Sequence, residues 1–283
     1  MVKDQPTIKN LLEHLDEIAA FSLAESWDNV GLMVGSPDQE VTGILVGLDP
    51  TEELLEEAMA SGLNTIITHH PLIFSAIKSI RTDHPLGKFL TKALSDGMAV
   101  ISCHTNLDVA PDGVSDILAG RLGLQNICPL SMNAGRATDS FGFGRIGRLV
   151  EPMPFDRFVY NLLHILQLSA VKVAGCSPDL ITKVAVCGGS GSELAELAYN
   201  RGAEVYITGE VKHSVARWAE ASKFCMIDAG HYATENTIIP VLVAGLEKKF
   251  SSLGLKPAIR ASAIQANPFA FYIKKGAAAI CLQ

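Results

Sequence analysis

The chain has 283 residues, 48% of them hydrophobic and 19% charged, with a formal net charge of -7 and a mean hydropathy of +0.25. That length suggests two domains with cores of their own, and the composition excludes a disordered polymer. The negative charge argues against a nucleic-acid or acidic-membrane binder, since both need a basic field.

The first twenty-one residues, MVKDQPTIKNLLEHLDEIAAF, place acids and a histidine among apolar positions. They predict an amphipathic helix and not a signal peptide. Glu25 to Gly35 reads as a turn followed by a short strand, with Trp27 plugging a core edge while Asp28 and Asn29 satisfy loop amides. Val41 to Leu48 predicts a strand, and Asp49-Pro50-Thr51-Glu52 predicts a helix start capped by Asp49. That helix, Thr51 to Ser61, stops at Gly62. The β-branched run Asn64 to Thr68 then ends in His69-His70-Pro71, a buried strand delivering two imidazoles at its C-terminal tip, where open α/β sheets place their chemistry. On a fully extended chain the two rings would point to opposite sides and serve different ions; the plain alternative is a strand-end pair with no ligand role. A helix over Leu86 to Ser95 and a strand over Ala99 to Ser102 follow, leading into Cys103-His104-Thr105-Asn106-Leu107-Asp108.

Val114 to Leu122 predicts a helix. From Gln125 to Gly147 the composition shifts to Pro, Asn and Gly, which suggests a domain crossover. The expected domains are residues 1–128 with about 230–283, and about 129–229. In the second come a helix (Phe155 to Leu166), strands (Ala170 to Ala174 and Lys183 to Cys187) and the turn Gly188-Gly189-Ser190-Gly191-Ser192. Such a turn either cradles a phosphate at a helix start or is a tight structural turn; it lacks a P-loop ending. The cysteines, Cys103, Cys128, Cys176, Cys187, Cys225 and Cys281, form no Cys-x-x-Cys pair, and a reduced, cytoplasmic protein is the simplest expectation.

Shifted by 140 residues, Ala58 to Thr68 lies over Ala198 to Thr208, with alanine, glycine, isoleucine and threonine coinciding. Shifted by 127, His104-x-x-x-Asp108 lies over His231-x-x-x-Glu235. The chain therefore reads as two related α/β halves, an internal duplication whose strand ends face one cleft. Joined to His69, His70, His104 and Asp108, the pair His231 and Glu235 makes a cluster of imidazoles and carboxylates suited to divalent metals that prefer nitrogen and oxygen. Two cations against two carboxylates would leave a charge near +2 and positions for water or an anion.

Trp27-Asp28-Asn29-Val30-Gly31-Leu32, Thr68-His69-His70-Pro71, His104-Thr105-Asn106-Leu107-Asp108, Thr208-Gly209-Glu210 and Gly230-His231-Tyr232-Ala233-Thr234-Glu235 together resemble the successive signatures of the Nif-three-like family, the GTP cyclohydrolase 1 type 2 homologues. The resemblance spans most of the chain. It implies two similar α/β domains with a dinuclear metal site in the cleft between them, assembled as a toroidal homohexamer. By motif the ligands are His69, His70, Asp108, His231 and Glu235, with Glu235 as the bridge, while His104, Glu210 and His213 line the site. Longer members carry an inserted domain in the middle, for which this chain leaves no room.

The expected function is a metal-dependent hydrolase acting on a small anionic substrate, possibly a nucleotide. Its two ions per subunit would be zinc, iron or manganese, and His104 or Glu210 would carry protons. The alternative is a non-catalytic metal carrier or regulatory interaction protein, expected to show exchangeable metal and a partner surface.

Overall fold

The computed structural model describes residues 5–131, 140–275 and 278–282. The chain divides into two compact units, one running to Gly113 and completed by Ile238–Gln265, the other formed by Val114–Thr237 and the chain from Ala266 onward. No helix among the described residues is long and apolar enough to cross a membrane.

The first unit is built on a five-stranded sheet in the order Gly31–Val34, Ala99–Ser102, Thr65–Thr68, Gly43–Gly47, Ala258–Ala261. The last four run parallel and Gly31–Val34 runs antiparallel at the edge. Parallel strands are covered on both faces, which explains why Gly43–Gly47, Thr65–Thr68 and Ala99–Ser102 are buried along their whole length. Leu45, Ile66 and Val100 meet Leu54 and Leu55 of the helix Glu52–Ala60 and Phe89, Leu90 and Ala93 of the helix Pro85–Ser95. The register aligns Gly47, Thr68 and Ser102, so the residues after each strand emerge side by side at the C-terminal edge.

The second unit repeats that plan. Its six-stranded sheet runs Gln125–Pro129, Arg145–Pro154, Leu180–Cys187, Val205–Thr208, Cys225–Asp228, Lys172–Ala174. Leu180–Cys187, Val205–Thr208 and Cys225–Asp228 are parallel, with Cys187, Thr208 and Asp228 in register, and Lys172–Ala174 is antiparallel to Cys225–Asp228. Four strands repeat in order, Gly31–Val34, Ala99–Ser102, Thr65–Thr68 and Gly43–Gly47 matching Lys172–Ala174, Cys225–Asp228, Val205–Thr208 and Leu180–Cys187, after which Ala258–Ala261 continues its sheet in parallel and Arg145–Pro154 continues the other antiparallel. Gly62 and Gly202, aligned in the two copies, both have positive φ, +69° and +74°, where the chain turns from helix to strand.

The domain boundaries differ from the expected 128/129 and 229/230, and side-chain chemistry explains the shift. The helix Val114–Arg121 belongs with the second sheet: buried Arg145 grips Asp116 through two bonds, Nε to Oδ1 at 2.7 Å and Nη2 to Oδ2 at 2.6 Å. Leu118 and Ala119 share a core with Leu162, Val184 and Ile207. The Pro- and Gly-bearing segment read as a crossover supplies two antiparallel strands, Gln125–Pro129 and Arg145–Pro154, around residues 132–139, which lie outside the described residues. Gly147 sits there because an added Cβ would come within 3.0 Å of the Gln125 carbonyl oxygen.

Candidate metal centre

In the first unit the strand Thr65–Thr68 stops one residue before the histidine pair. Amides of His69 and His70 donate to Gly47 O and Leu48 O, and the hydroxyls of Ser102 and Thr68 donate to His69 O at 2.9 Å and His70 O at 2.7 Å. The backbone is bent, so the alternation expected of a strand does not separate the rings. Their centroids lie 5.0 Å apart, and that of His104 is 5.2 Å from His69 and 5.6 Å from His70. Ring nitrogens of these three histidines fall within 4.8 Å of one another. Asp108, in the helix Thr105–Val109 after His104, brings Oδ1 to 3.6 Å from His69 Nε2.

Each ring is held by its other nitrogen. His69 Nδ1 bonds to Cys103 O at 2.8 Å, His70 Nδ1 to Asp49 Oδ1 at 2.7 Å and His104 Nδ1 to Asp28 Oδ1 at 2.9 Å. Since a carbonyl and carboxylates can only accept, Nδ1 carries the proton and Nε2 is the nitrogen able to act as a ligand. Asp49 is therefore not the helix cap: Thr51 takes that role, accepting from Leu54 N. Asp28 also accepts from Thr105 N and Oγ1. Burial opposes its charge, but the bonds from His104 and Thr105 outweigh that and hold its carboxyl well below the usual carboxylate range.

The second unit carries a group of its own at the matching strand ends. Gly230, at φ +81°, starts the short helix His231–Glu235 just past the strand Cys225–Asp228. His231 Nε2 lies 3.0 Å from Glu235 Oε2 on one helix face, while Nδ1 bonds to Glu210 Oε1 at 2.8 Å. The residues expected to line the site thus divide: Glu210 grips a histidine, and His213 is exposed at the start of the helix His213–Ala221.

The glycine-rich turn proves structural. Gly188 N donates to Ser115 Oγ, Gly189 N to Thr234 Oγ1 and Gly191 N to Thr208 Oγ1, so hydroxyls take up the amides a phosphate would need. Gly189, at φ +62°, also makes room for the carboxylate, since an added Cβ would stand 2.0 Å from Glu235 Oε1.

Ligand spacing tests the fit to a cation. Two ligands about 2.1 Å from one ion at right to tetrahedral angles stand roughly 3.0 to 3.4 Å apart. The 3.0 Å of His231 and Glu235 matches, and the 3.6 Å of His69 and Asp108 is a little long. The donors are nitrogen and oxygen only. Burial pushes the Cys103 thiol up to about 12, which removes it as a ligand.

The sequence matches the Duf34/NIF3 (NGG1p interacting factor 3) family over residues 6–268. The chain belongs to that family. Duf34/NIF3 relatives include a GTP cyclohydrolase 1 type 2 homolog of Clostridium acetobutylicum, 32% identical over 93% of this chain and 98% of the relative. A Streptomyces coelicolor protein of the same name is 33% identical over 81% and 82%. Among solved structures, a Bacillus cereus protein related to NIF3 matches with a TM-score of 0.89 at 26% identity, covering 95% of this chain and all of that one. Staphylococcus aureus protein SA1388 matches at 0.85 and 33% identity over the same shares. The Duf34/NIF3 assignment covers both units, and with them every histidine and carboxylate described above.

Sequence reasoning missed Asp49, Asp28 and the Cys103 carbonyl as acceptors. The signal available was spacing: Asp49 and His70 each follow a strand of one parallel sheet, so they emerge as neighbours.

Proposed function

We propose that this chain is a metal-dependent hydrolase acting on a small anionic substrate, in which His69, His70 and Asp108 of the first unit and His231 and Glu235 of the second hold two divalent ions, zinc, iron or manganese. Glu235 would hold both. The observation that carries this reading is the holding of Nδ1 in His69, His70, His104 and His231 by a carbonyl or carboxylate. Metal-ligating histidines are oriented in that way. When bound, such an ion pair lowers the pKa of water and polarises the bond to be cleaved.

The side chains divide the remaining work. Asp49 and Glu210 orient the ligands His70 and His231. His104, held by Asp28, carries the proton between attacking water and leaving group. Glu210 is then a positioning residue, with its proton-transfer role given to His104. The protein assembles as a toroidal homohexamer, consistent with the family resemblance.

Purified protein reconstituted with zinc, iron or manganese should hold two ions per chain by elemental analysis, form a hexamer by light scattering, and turn over a nucleotide, phosphoester or cyclic amide. His104→Ala should keep the metals and lose turnover. A fully loaded wild type inactive on all three substrate classes, yet passing its ions readily to an acceptor protein, would replace the hydrolase with a carrier.

A further inference from the structure

Trp27, expected to plug a core edge, does the opposite. Its side chain is 57% exposed, and Phe74, in the loop after His70-Pro71, is 53% exposed. Trp is normally among the well-buried residues, and a joint exposed aromatic surface calls for an occupant. The two ring centroids are 5.9 Å apart, and each is 6.3 Å from His104. The pair is fastened in place by the residues between. Asp28 holds His104 and Thr105, and Asn29 Nδ2 donates to Ile73 O at 2.6 Å, tying the Trp27 loop to the residue before Phe74. Trp27-Asp28-Asn29 thus sets an indole, the orientation of the proton carrier and the Phe74 loop in one rigid piece. Beyond Phe74 the same loop walls a cavity of about 650 Å³ that takes in Lys78 and Arg81, within the usual range for a small-molecule site.

We propose that Trp27 and Phe74 form a stacking subsite for a planar heteroaromatic ring, so that the substrate is a ring joined to an anionic group. The ring lies on the aromatic pair, its reactive end reaches His104, and the cavity behind Phe74 receives the remainder. Stacking on an aromatic face requires no particular hydrogen-bond pattern, so the subsite selects for a flat ring. The choice of reactive end rests on the hydrolase reading; the ring site is testable without turnover.

The test uses the metal-loaded 283-residue chain carrying Trp218→Phe, which leaves Trp27 as its only tryptophan. Adenosine and guanosine 5′-monophosphates should quench Trp27 emission and bind more tightly than ribose 5-phosphate. By calorimetry, Trp27→Ala in the otherwise wild-type chain should weaken both nucleotides about 10-fold, or ~1.4 kcal/mol, and leave ribose 5-phosphate and metal content unchanged. Phe74→Ala should do the same to a smaller degree, which guards against a Trp27 variant that folds poorly. Ribose 5-phosphate binding as tightly as both nucleotides, or nucleotide affinity indifferent to both substitutions, overturns the subsite while leaving the hydrolase reading intact. So does a Trp27→Ala protein whose only change is loss of its assembly, because the pair is then a subunit interface. Ring-dependent binding without turnover of any substrate sustains the subsite and overturns the hydrolase.

Discussion

The two units place their candidate ligands at the same strand ends but in different company. In the first, three imidazoles crowd together, held by a main-chain carbonyl and by Asp49 and Asp28 at strand ends and in a loop. In the second, one imidazole stands with a buried carboxylate, 3% exposed, and is held by Glu210, whose side chain is 57% exposed. Duplication has kept the scaffold and changed what stands on it: the first copy sets three imidazoles beside Asp108, the second a single imidazole beside Glu235. An exposed ion pair contributes little, so the grip on His231 should be the weaker of the two.

The most severe way to break this asymmetry is to remove the charge. Glu235→Ala should reduce bound metal to one ion per chain or fewer by elemental analysis, and Asp108→Ala should lose less; equal losses would mean that the second unit holds no special place. Next comes the glycine that makes room for that carboxylate. Gly189→Ala should cost about 1–2 kcal/mol for its left-handed backbone and also expel metal, whereas Gly62→Ala, with nothing within 4 Å of its added Cβ, should show a similar cost in urea denaturation and keep its metal.

The acceptors give a finer comparison. Asp49→Asn should weaken metal binding by roughly 10–100-fold and Glu210→Gln by about 10-fold in competition titrations with a chelator. The reverse order would show that exposure is a poor guide to grip. The smallest effect belongs to a histidine outside the cluster. Neither ring nitrogen of His14 has a hydrogen-bond partner among the described residues, and burial, with Lys249 nearby, lowers its pKa. The unfolded chain then binds the proton more tightly, so the stability tied to neutral His14 is full above the ordinary value of about 6.5 and is lost as pH falls below it. His14→Phe should therefore gain on wild type in urea midpoint at pH 5 and gain less at pH 8.

What could be seen in the sequence was whatever is local. His69-His70, His104 to Asp108 and His231 to Glu235 announce themselves because a strand signal stops and ligand-type residues begin. The repeat at 140 residues exposed the shared scaffold for the same reason. The supports of these residues stayed hidden, because Asp28 reaches His104 across 76 residues and Asp49 reaches His70 across 21, and each has a plain local reading as a turn or cap residue. Gln125–Pro129 and Arg145–Pro154 were obscured by proline and glycine, whose tolerance there depends on their place in the sheet. Trp27 was misjudged because its residue type argues for burial, and exposure is decided by neighbours the local sequence does not contain.

The parallel pairing of Ala258–Ala261 with Gly43–Gly47 has a consequence for how the protein is made. Val114–Thr237 is one continuous run, so most of the second unit can close while the chain is still on the ribosome. The first cannot. Its outer strand, and the helix Ile239–Ser252 that buries Leu242, Leu246 and Phe250, are translated more than a hundred residues after the strands they join. Until then the Gly43–Gly47 strand keeps an unpaired apolar edge, open to other nascent chains. Translation that stalls before residue 258 would release a chain with the half bearing His231 and Glu235 largely formed and a sticky sheet edge on the half bearing His69, His70 and Asp108.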